Sequence, residues 1–488
     1  MSRLIASCLI VLLWVTSAPA HARDWVRAEL PGVVFYSDGY SHELQRWALK
    51  FRLFDALLRQ QFGVAGLDRD PGSPLTIYLL DEGKQIERLT GRENLQGLYS
   101  PSIEGSFLIA SRDPAYDKRR LSGQMSLFHE YAHHFMYRHF TSAWPVWYRE
   151  GFAEYASAVT FDADRKATVG LPNWPRLKHL DDKPMPLKTV LTATVDDFKP
   201  GEKARFYAWS WNLVHLLMET PADRRRLAQY LRSFGSGTDS WAAAQAAFGD
   251  LAALEARLHA HVPDPRGGKA VAPTLTQASE VAVTTLDPIA SRLIDLRLER
   301  LAGGDRKAAL ERLQAFVEAN PANPEARREL ALALSDTNLP EARSQALMAM
   351  SLAPDDLRAR AIWADIAFRQ IKANPASMPS DWDKVRSMLA GAIRPNTRDP
   401  MALALLFRSY LLEPRRPNAA AHLAMARAMA LQPESYEVRS LAVYSLALQG
   451  RAAQARRTAL MLTSDPHSGA LGKRVEESLD RAGVRASN

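Results

Sequence analysis

Residues 129–140 read HEYAHHFMYRHF, four histidines and one glutamate in an otherwise largely apolar stretch. The reading of the N-terminal half turns on which of those imidazoles face one another. On a helix, residues i and i+4 sit one above the other, so His129 and His133 reach toward one ion. Phe128, Ala132 and Phe135 make an adjoining apolar stripe that would seat such a helix in a core. Glu130 lies beside the first imidazole on a different azimuth. From there it can take a proton from a metal-activated water without occupying a ligand position.

A catalytic zinc takes three protein ligands and keeps one position open, so a third donor is needed. His139 has the spacing of H-E-x-x-H-x-x-G-x-x-H, but that pattern needs a glycine to turn the chain off the helix, and Met136 stands there. A helix running on through Met136 turns the choice to Glu150, in WPVWYREGFAEYASA (144–158). Ser142 and Pro145 are start signals for a second helix. On it Glu150 and Glu154 share a face, and Gly151, Ala153 and Ala156 are small enough to let a partner helix approach. Glu150 is then the third ligand, and Glu154 the carboxylate that fixes the tautomer of a ligand imidazole. Without the H-E-x-x-H upstream, both glutamates would read as surface residues of an amphipathic helix. His21, His42, His134 and His139 have no partner at metal-site spacing and read as solvated or hydrogen-bonded side chains.

H-E-x-x-H followed by Trp-x-x-Glu-Gly-x-Ala-Glu-Tyr resembles the gluzincin metallopeptidases, most closely the peptidase-MA-like group often found beside tetratricopeptide repeats. The resemblance spans about Leu75 to Glu219. It implies one zinc per chain held by His129, His133 and Glu150, with Glu130 as general base and Glu154 behind a ligand. It also implies an edge strand beside the zinc that aligns extended peptides, and SFLIAS (106–111) is the expected one. A tyrosine downstream serves related enzymes as oxyanion donor. Tyr207, in RFYAWSWNLVHLL (205–217), is the candidate here, ahead of His215, with an aromatic core helix as the alternative reading. The G-x-M-E-N sequence with which aminopeptidase gluzincins grip a substrate amine is absent, so an exopeptidase is not supported.

Around these motifs, LTIYLL (75–80) reads as a buried strand and GLYSPSIEGSFLIAS (97–111) as a hairpin, with an amphipathic helix over 43–62. Residues 1–22 have a basic start at Arg3, an apolar run from Leu4 to Val15 and a small-x-small site near Ala20, the pattern of a secretory signal. The only cysteine, Cys8, falls inside it, so the exported chain would rely on its core and not on disulfides. At 488 residues, with 47% hydrophobic and 24% charged residues, the chain is expected to fold as two or three soluble domains with no stable membrane span. The net charge of +8 fits anionic envelope surfaces or simply arginine-rich helix faces, and no block of like charges suggests nucleic acid.

The expected layout is a 23–261 peptidase-like domain, a linker over 262–287 rich in Pro, Gly and Thr, and helical repeats over 288–488. Prolines at 321, 354, 395, 433 and 466 punctuate the last part at intervals near the 34-residue tetratricopeptide period, with an irregular helical domain as the alternative. The fold class is thus an α+β zincin-like metallopeptidase domain followed by an all-α tetratricopeptide-like solenoid. The function expected is an exported, periplasmic or secreted zinc metallopeptidase acting on a peptide or protein, its repeats recruiting substrate or a partner protein. Two rivals remain: a non-catalytic binding or scaffold protein that works through its repeats, and a zinc amidase acting on a cell-envelope amide.

Overall fold

Among the described residues, six strands form one mixed sheet in the order β4-β5-β3-β2-β1-β9. They are β1 (Val26–Leu30), β2 (Val33–Ser37), β3 (Leu75–Leu80), β4 (Gly97–Ser100), β5 (Phe107–Ser111) and β9 (Val283–Thr285). β2, β3 and β5 run parallel, while β1, β4 and β9 pair antiparallel to their neighbours. The computed structural model describes residues 24–481 except 67–72, 94, 115–120, 181–182, 195–196, 276–279, 414, 466–467 and 469. The expected leader at 1–22 and Pro466 lie outside the described residues.

LTIYLL forms β3, buried nearly throughout and paired on both sides, as its continuous apolar run requires. The expected hairpin forms as β4 and β5, but SFLIAS is not the edge strand. β5 is inserted between β4 and β3, because its fully apolar FLIAS run needs neighbours on both sides, and the half-exposed β4 takes the edge.

α1 (Ser41–Phe62) connects β2 to β3 and packs on one face of the sheet with α3 (Gly123–His139); the short α2 (Gly83–Thr90) follows β3. Phe54 of α1 stacks on Phe128 at 4.1 Å between ring centroids, and Phe51 meets Tyr131 edge-on at 4.5 Å. The stripe read as Phe128, Ala132 and Phe135 is wholly buried.

α4 (Val146–Ser157) follows, then β6 (Thr160–Phe161) and β7 (Ala167–Val169), α5 (Trp174–Leu177), α6 (Leu187–Thr192), α7 (Pro200–Glu219), α8 (Pro221–Gly235), α9 (Ser240–Phe248) and α10 (Leu251–Ala260). The stretch expected to be a linker is woven into both sheets. β8 (Lys269–Val271) pairs with β7 in a second, three-stranded sheet, and β9 pairs with β1. Its β-branched Val and Thr residues find ladder partners, which composition alone does not reveal.

Residues 288–481 are helical: α11 (Pro288–Ala302), α12 (Arg306–Ala319), α13 (Pro324–Leu334), α14 (Leu339–Leu352), α15 (Leu357–Ala373), α16 (Pro379–Ala390), α17 (Pro400–Leu412), α18 (Ala419–Leu431), α19 (Tyr436–Leu448), α20 (Ala452–Thr463) and α21 (Ala470–Arg481). Each helix packs on the next, and alternate helices α11, α13, α15, α17, α19 and α21 also touch in series, the arrangement of a helical repeat array. The punctuating Pro321, Pro354, Pro395 and Pro433 stand in the turns that precede α13, α15, α17 and α19, and a second set of prolines opens helices. Asp287, Asn323 and Asp399 each cap a helix by accepting from an amide in its first turn, and a proline follows at the first helical position, where no amide is needed.

The array is fastened to the sheet domain. Trp25 donates its indole N–H to Asp295 of α11 at 2.8 Å, and Ile294 and Leu298 join a core with Tyr78 and Ile109. Arg300 pairs with Glu104 in the β4–β5 turn at 2.9 Å, and Arg138 of α3 pairs with Glu434, before α19, at 3.0 Å. Among the described residues no helix is long and apolar enough to cross a membrane.

Candidate metal centre

The helix carrying the histidines starts where a side chain would not fit. Ser122 caps α3 by accepting from the Met125 amide, and a Cβ on Gly123 would lie 1.9 Å from the carbonyl oxygen of Ser111 at the end of β5. With glycine there, α3 begins against the sheet and runs unbroken through Met136 to His139. The His139 ring lies on Phe135, at 4.7 Å between centroids, on the apolar side of the helix, while His134 Nδ1 meets the Tyr99 hydroxyl at 3.0 Å. Neither joins the cluster of ligand-type atoms.

That cluster comprises His129, His133 and Glu150. The two Nε2 atoms are 3.1 Å apart, and Glu150 Oε2 lies 3.8 Å from the first and 3.7 Å from the second. Three atoms at these separations lie on a circle of radius about 2.1 Å, the bond length of zinc to imidazole nitrogen or carboxylate oxygen. Two imidazoles and one carboxylate are also a donor set that zinc accepts. The residues therefore fit the ion that their types suggest.

α4 is brought to α3 by packing on α7. A Cβ on Gly151 would stand 2.4 Å from the Ser210 carbonyl oxygen, so glycine is what lets the two helices meet this closely. Glu150 and Glu154, one turn apart, are then 2% and 1% exposed.

Glu154 Oε1 faces His129 Nδ1 at 3.4 Å, which leaves Nε2 of that ring directed at the cluster. The same carboxylate accepts from Arg176 at 2.5 Å and from Asn173 at 2.7 Å. Burial acts to raise its pKa, but Arg176 and then His129 outweigh it and hold the carboxyl below its ordinary range. Asn173 and Arg176 were not apparent from the sequence. They lie 19 and 22 residues after Glu154 at no helical spacing, so only the fold connects them to the site.

His129, Glu130, His133, Glu150 and Tyr207 line one cleft of about 390 Å³ with Gly97 and Tyr99 of β4. The Tyr207 phenol is pushed well up, by the Glu150 carboxylate first and by burial second, so it remains a hydrogen-bond donor. The Arg176 guanidinium lies over its ring at 5.6 Å. His215, the lesser candidate for the same role, points elsewhere: its Nε2 donates to the Gly170 carbonyl oxygen and its Nδ1 meets His261 Nε2. Tyr436 of α19 also lines the cleft, so the repeats contribute part of its wall. Its hydroxyl donates to Asp465 at 2.9 Å; Tyr137 donates to the same oxygen at 2.5 Å, and Arg149, beside Glu150, pairs with it at 3.1 Å. A larger cleft, of about 580 Å³ near Trp25 and Arg88, lies away from these residues.

No family model and no curated protein matches the chain. Among solved structures it is similar to a thermophilic TPR protein of Thermus thermophilus, 21% identical over 38% of this chain and 97% of that one, with a TM-score of 0.34. It is also similar to a MamA RS-1 ArsTM double mutant, 16% identical over 40% of this chain and 99% of that one, with a TM-score of 0.27.

Proposed function

We propose that this chain is an exported zinc-dependent metallopeptidase of the gluzincin type, with a zincin-like N-terminal domain and tetratricopeptide-like repeats. The observation that carries the reading is the convergence of His129, His133 and Glu150 on one point in a cleft that also holds Glu130 and Tyr207. His129, His133 and Glu150 would hold the ion, and Glu154 would keep His129 oriented. When bound, zinc would polarise the scissile carbonyl and acidify a water. Glu130 accepts the proton of the attacking water and hands it to the leaving amine. Tyr207, kept protonated, donates to the oxygen on which negative charge develops.

β4 supplies the track for the substrate. It pairs only with β5 among the described residues, and Gly97 to Tyr99 border the cleft. An extended peptide adding to that edge would pass Glu130, to which β4 stands so close that a Cβ on Gly97 would be 3.1 Å from the Glu130 Cγ.

The second reading, a scaffold protein that acts through its repeats without turnover, is favoured by the array of eleven helices among the described residues. Zinc analysis combined with hydrolysis of an unfolded protein separates the two. Glu130→Gln should keep the zinc of the wild type and lower the rate by about 10²–10⁴-fold. Equal zinc with no cleavage by either protein would favour the scaffold. Cleavage of a small cell-envelope amide, with the unfolded protein left intact, would point to an amidase.

A further inference from the structure

A second group of metal-ligand side chains lies at the far end of α7 from the cleft. His215 and Glu219 are one turn apart at the C-terminal end of that helix, and His261 is the residue that ends α10. His215 Nδ1 and His261 Nε2 are 3.0 Å apart, Glu219 Oε1 is 3.8 Å from the same His261 nitrogen, and the ligand atoms all lie within 4.8 Å of one another.

The surroundings prepare these atoms for a cation. His215 Nε2 is 3.1 Å from the carbonyl oxygen of Gly170, which can only accept, so that nitrogen carries the proton and Nδ1 presents a lone pair toward His261. This is the arrangement by which ligand imidazoles are fixed in one tautomer. Asn212, one turn earlier on α7 and fully buried, donates to the carbonyl oxygens of Leu258 and His261, at 3.3 and 3.2 Å, and so holds the end of α10 in place. His215 and Glu219 line a separate cavity of about 380 Å³, and the two cations on its wall are engaged with backbone: Lys269 donates to the Glu219 carbonyl at 3.1 Å and Arg224 to the Met218 carbonyl at 2.7 Å. The Glu219 side chain is 47% exposed, which leaves room for water to complete a coordination shell.

We infer that His215, Glu219 and His261 form a second metal site, one that takes a borderline divalent cation such as Zn²⁺ and clips the ends of α7 and α10 to the loop after β7. Two imidazoles and a carboxylate suit that class of ion better than Mg²⁺ or Ca²⁺, which prefer all-oxygen shells. The site does not depend on the function proposed for the cleft, and it adds a structural ion to whatever the cleft holds. The competing arrangement is an ordinary hydrogen bond from His261 Nε2–H to His215 Nδ1, with no ion.

The full chain, stripped with a chelator, reloaded with excess Zn²⁺ and desalted, decides between them by metal content. His261→Gln preserves size and polarity and should lower uptake by one equivalent relative to the wild type. Glu219→Gln, on the exposed side and tolerant in folding terms, should weaken retention of the same equivalent at least tenfold in a chelator competition. In a His129→Ala/His133→Ala background one equivalent should remain, and adding His261→Gln should remove it. Unchanged zinc content in His261→Gln, or unchanged retention in Glu219→Gln with native circular dichroism, would overturn the assignment whatever the cleft binds.

Discussion

The packing of α4 on α7 that carries Glu150 into the proposed zinc site is a close approach of two backbones, and it predicts what a single methyl group should do. Gly151 of α4 faces Ser210 of α7 so closely that a Cβ would stand 2.4 Å from its carbonyl oxygen, 2.6 Å from its carbonyl carbon and 2.9 Å from Val214 Cγ2. Two of those three atoms are backbone and cannot rotate away. Side-chain Cβ atoms essentially never approach closer than 3.0 Å, so Gly151→Ala forces α4 and α7 apart by about 0.6 Å or more, the kind of overpacking that costs about 1–3 kcal/mol. Glu150 is the adjacent residue and moves with α4, whereas His129 and His133 stay on α3. Metal sites hold their donor distances within about 0.2 Å, so the shift exceeds the tolerance of the site. We expect zinc affinity to fall about 10–100-fold, or about 1.4–2.8 kcal/mol, measured by competition with a chromophoric chelator. Urea unfolding of the metal-free protein should show the packing loss separately. Gly201→Ala is the control: it lies on the same α7 with open space around it, and its stability should change by no more than about 1 kcal/mol with zinc affinity unaltered. If Gly151→Ala binds zinc as tightly as the wild type, the α4–α7 contact does not position Glu150 and the reasoning fails.

Two further predictions concern buried ion pairs, one across the seam between the sheet domain and the repeats and one between α11 and α13 within the repeats. Arg149 is 3% exposed, pairs with Asp465 and donates to the Ser464 carbonyl at 2.6 Å; Arg149→Met should cost about 3–5 kcal/mol in urea unfolding, because it strips the cation from a buried carboxylate, and a loss under about 1 kcal/mol would contradict that account. Glu329 accepts from Arg297 at 2.7 Å and from Arg300 at 2.8 Å, and although burial opposes it, the two guanidinium groups bring its pKa from the ordinary 4.5 down to about 2. A lowered carboxylate pKa stabilises the fold fully above the ordinary value and loses that contribution as pH falls toward the folded value. The gap in unfolding free energy between wild type and Glu329→Gln should therefore be constant above about pH 5 and shrink by about 3 kcal/mol toward pH 2; a gap independent of pH would refute it.

What could be read ahead from the residues were features with a local cause. The continuous apolar run of LTIYLL demands an inner strand, and Met136 in place of a turn glycine demands an unbroken α3; both are found. The share of the candidate site carried on two adjacent helices, His129, His133, Glu150 and Glu154, could be named because helical spacing alone puts each pair on one face. The pairing order of the hairpin could not, since whether β4 or β5 is outermost depends on which of them β3 recruits. Arg176, Asn173 and the strands in the 262–287 stretch share that property: each has its role from a partner remote in sequence, and nothing in its own neighbourhood announces it.

The same distinction explains why the repeats read as a separate module and yet border the cleft. Period and capping residues describe how each helix pair folds on its neighbours, and they are silent about what the array docks against. Here the docking combines the apolar contact of α11 with the sheet and a set of buried polar contacts. Asp465, before α21, accepts from Tyr137 of α3 and Tyr436 of α19 and pairs with Arg149 of α4, and Glu434 receives both Arg138 and Ser106. Three of these contacts fall on the helices that carry the candidate ligands: Arg149 is one residue from Glu150, and Tyr137 and Arg138 are four and five from His133. A flexible tether would put no side chain in the cleft, whereas Tyr436 lines it together with Glu150. Buried charge pairs cost several kcal/mol to break and so allow little rocking at this seam. If the proposed function holds, a partner or substrate held on the array would meet the cleft at a fixed offset, and the repeats would help set which part of an extended chain can reach β4.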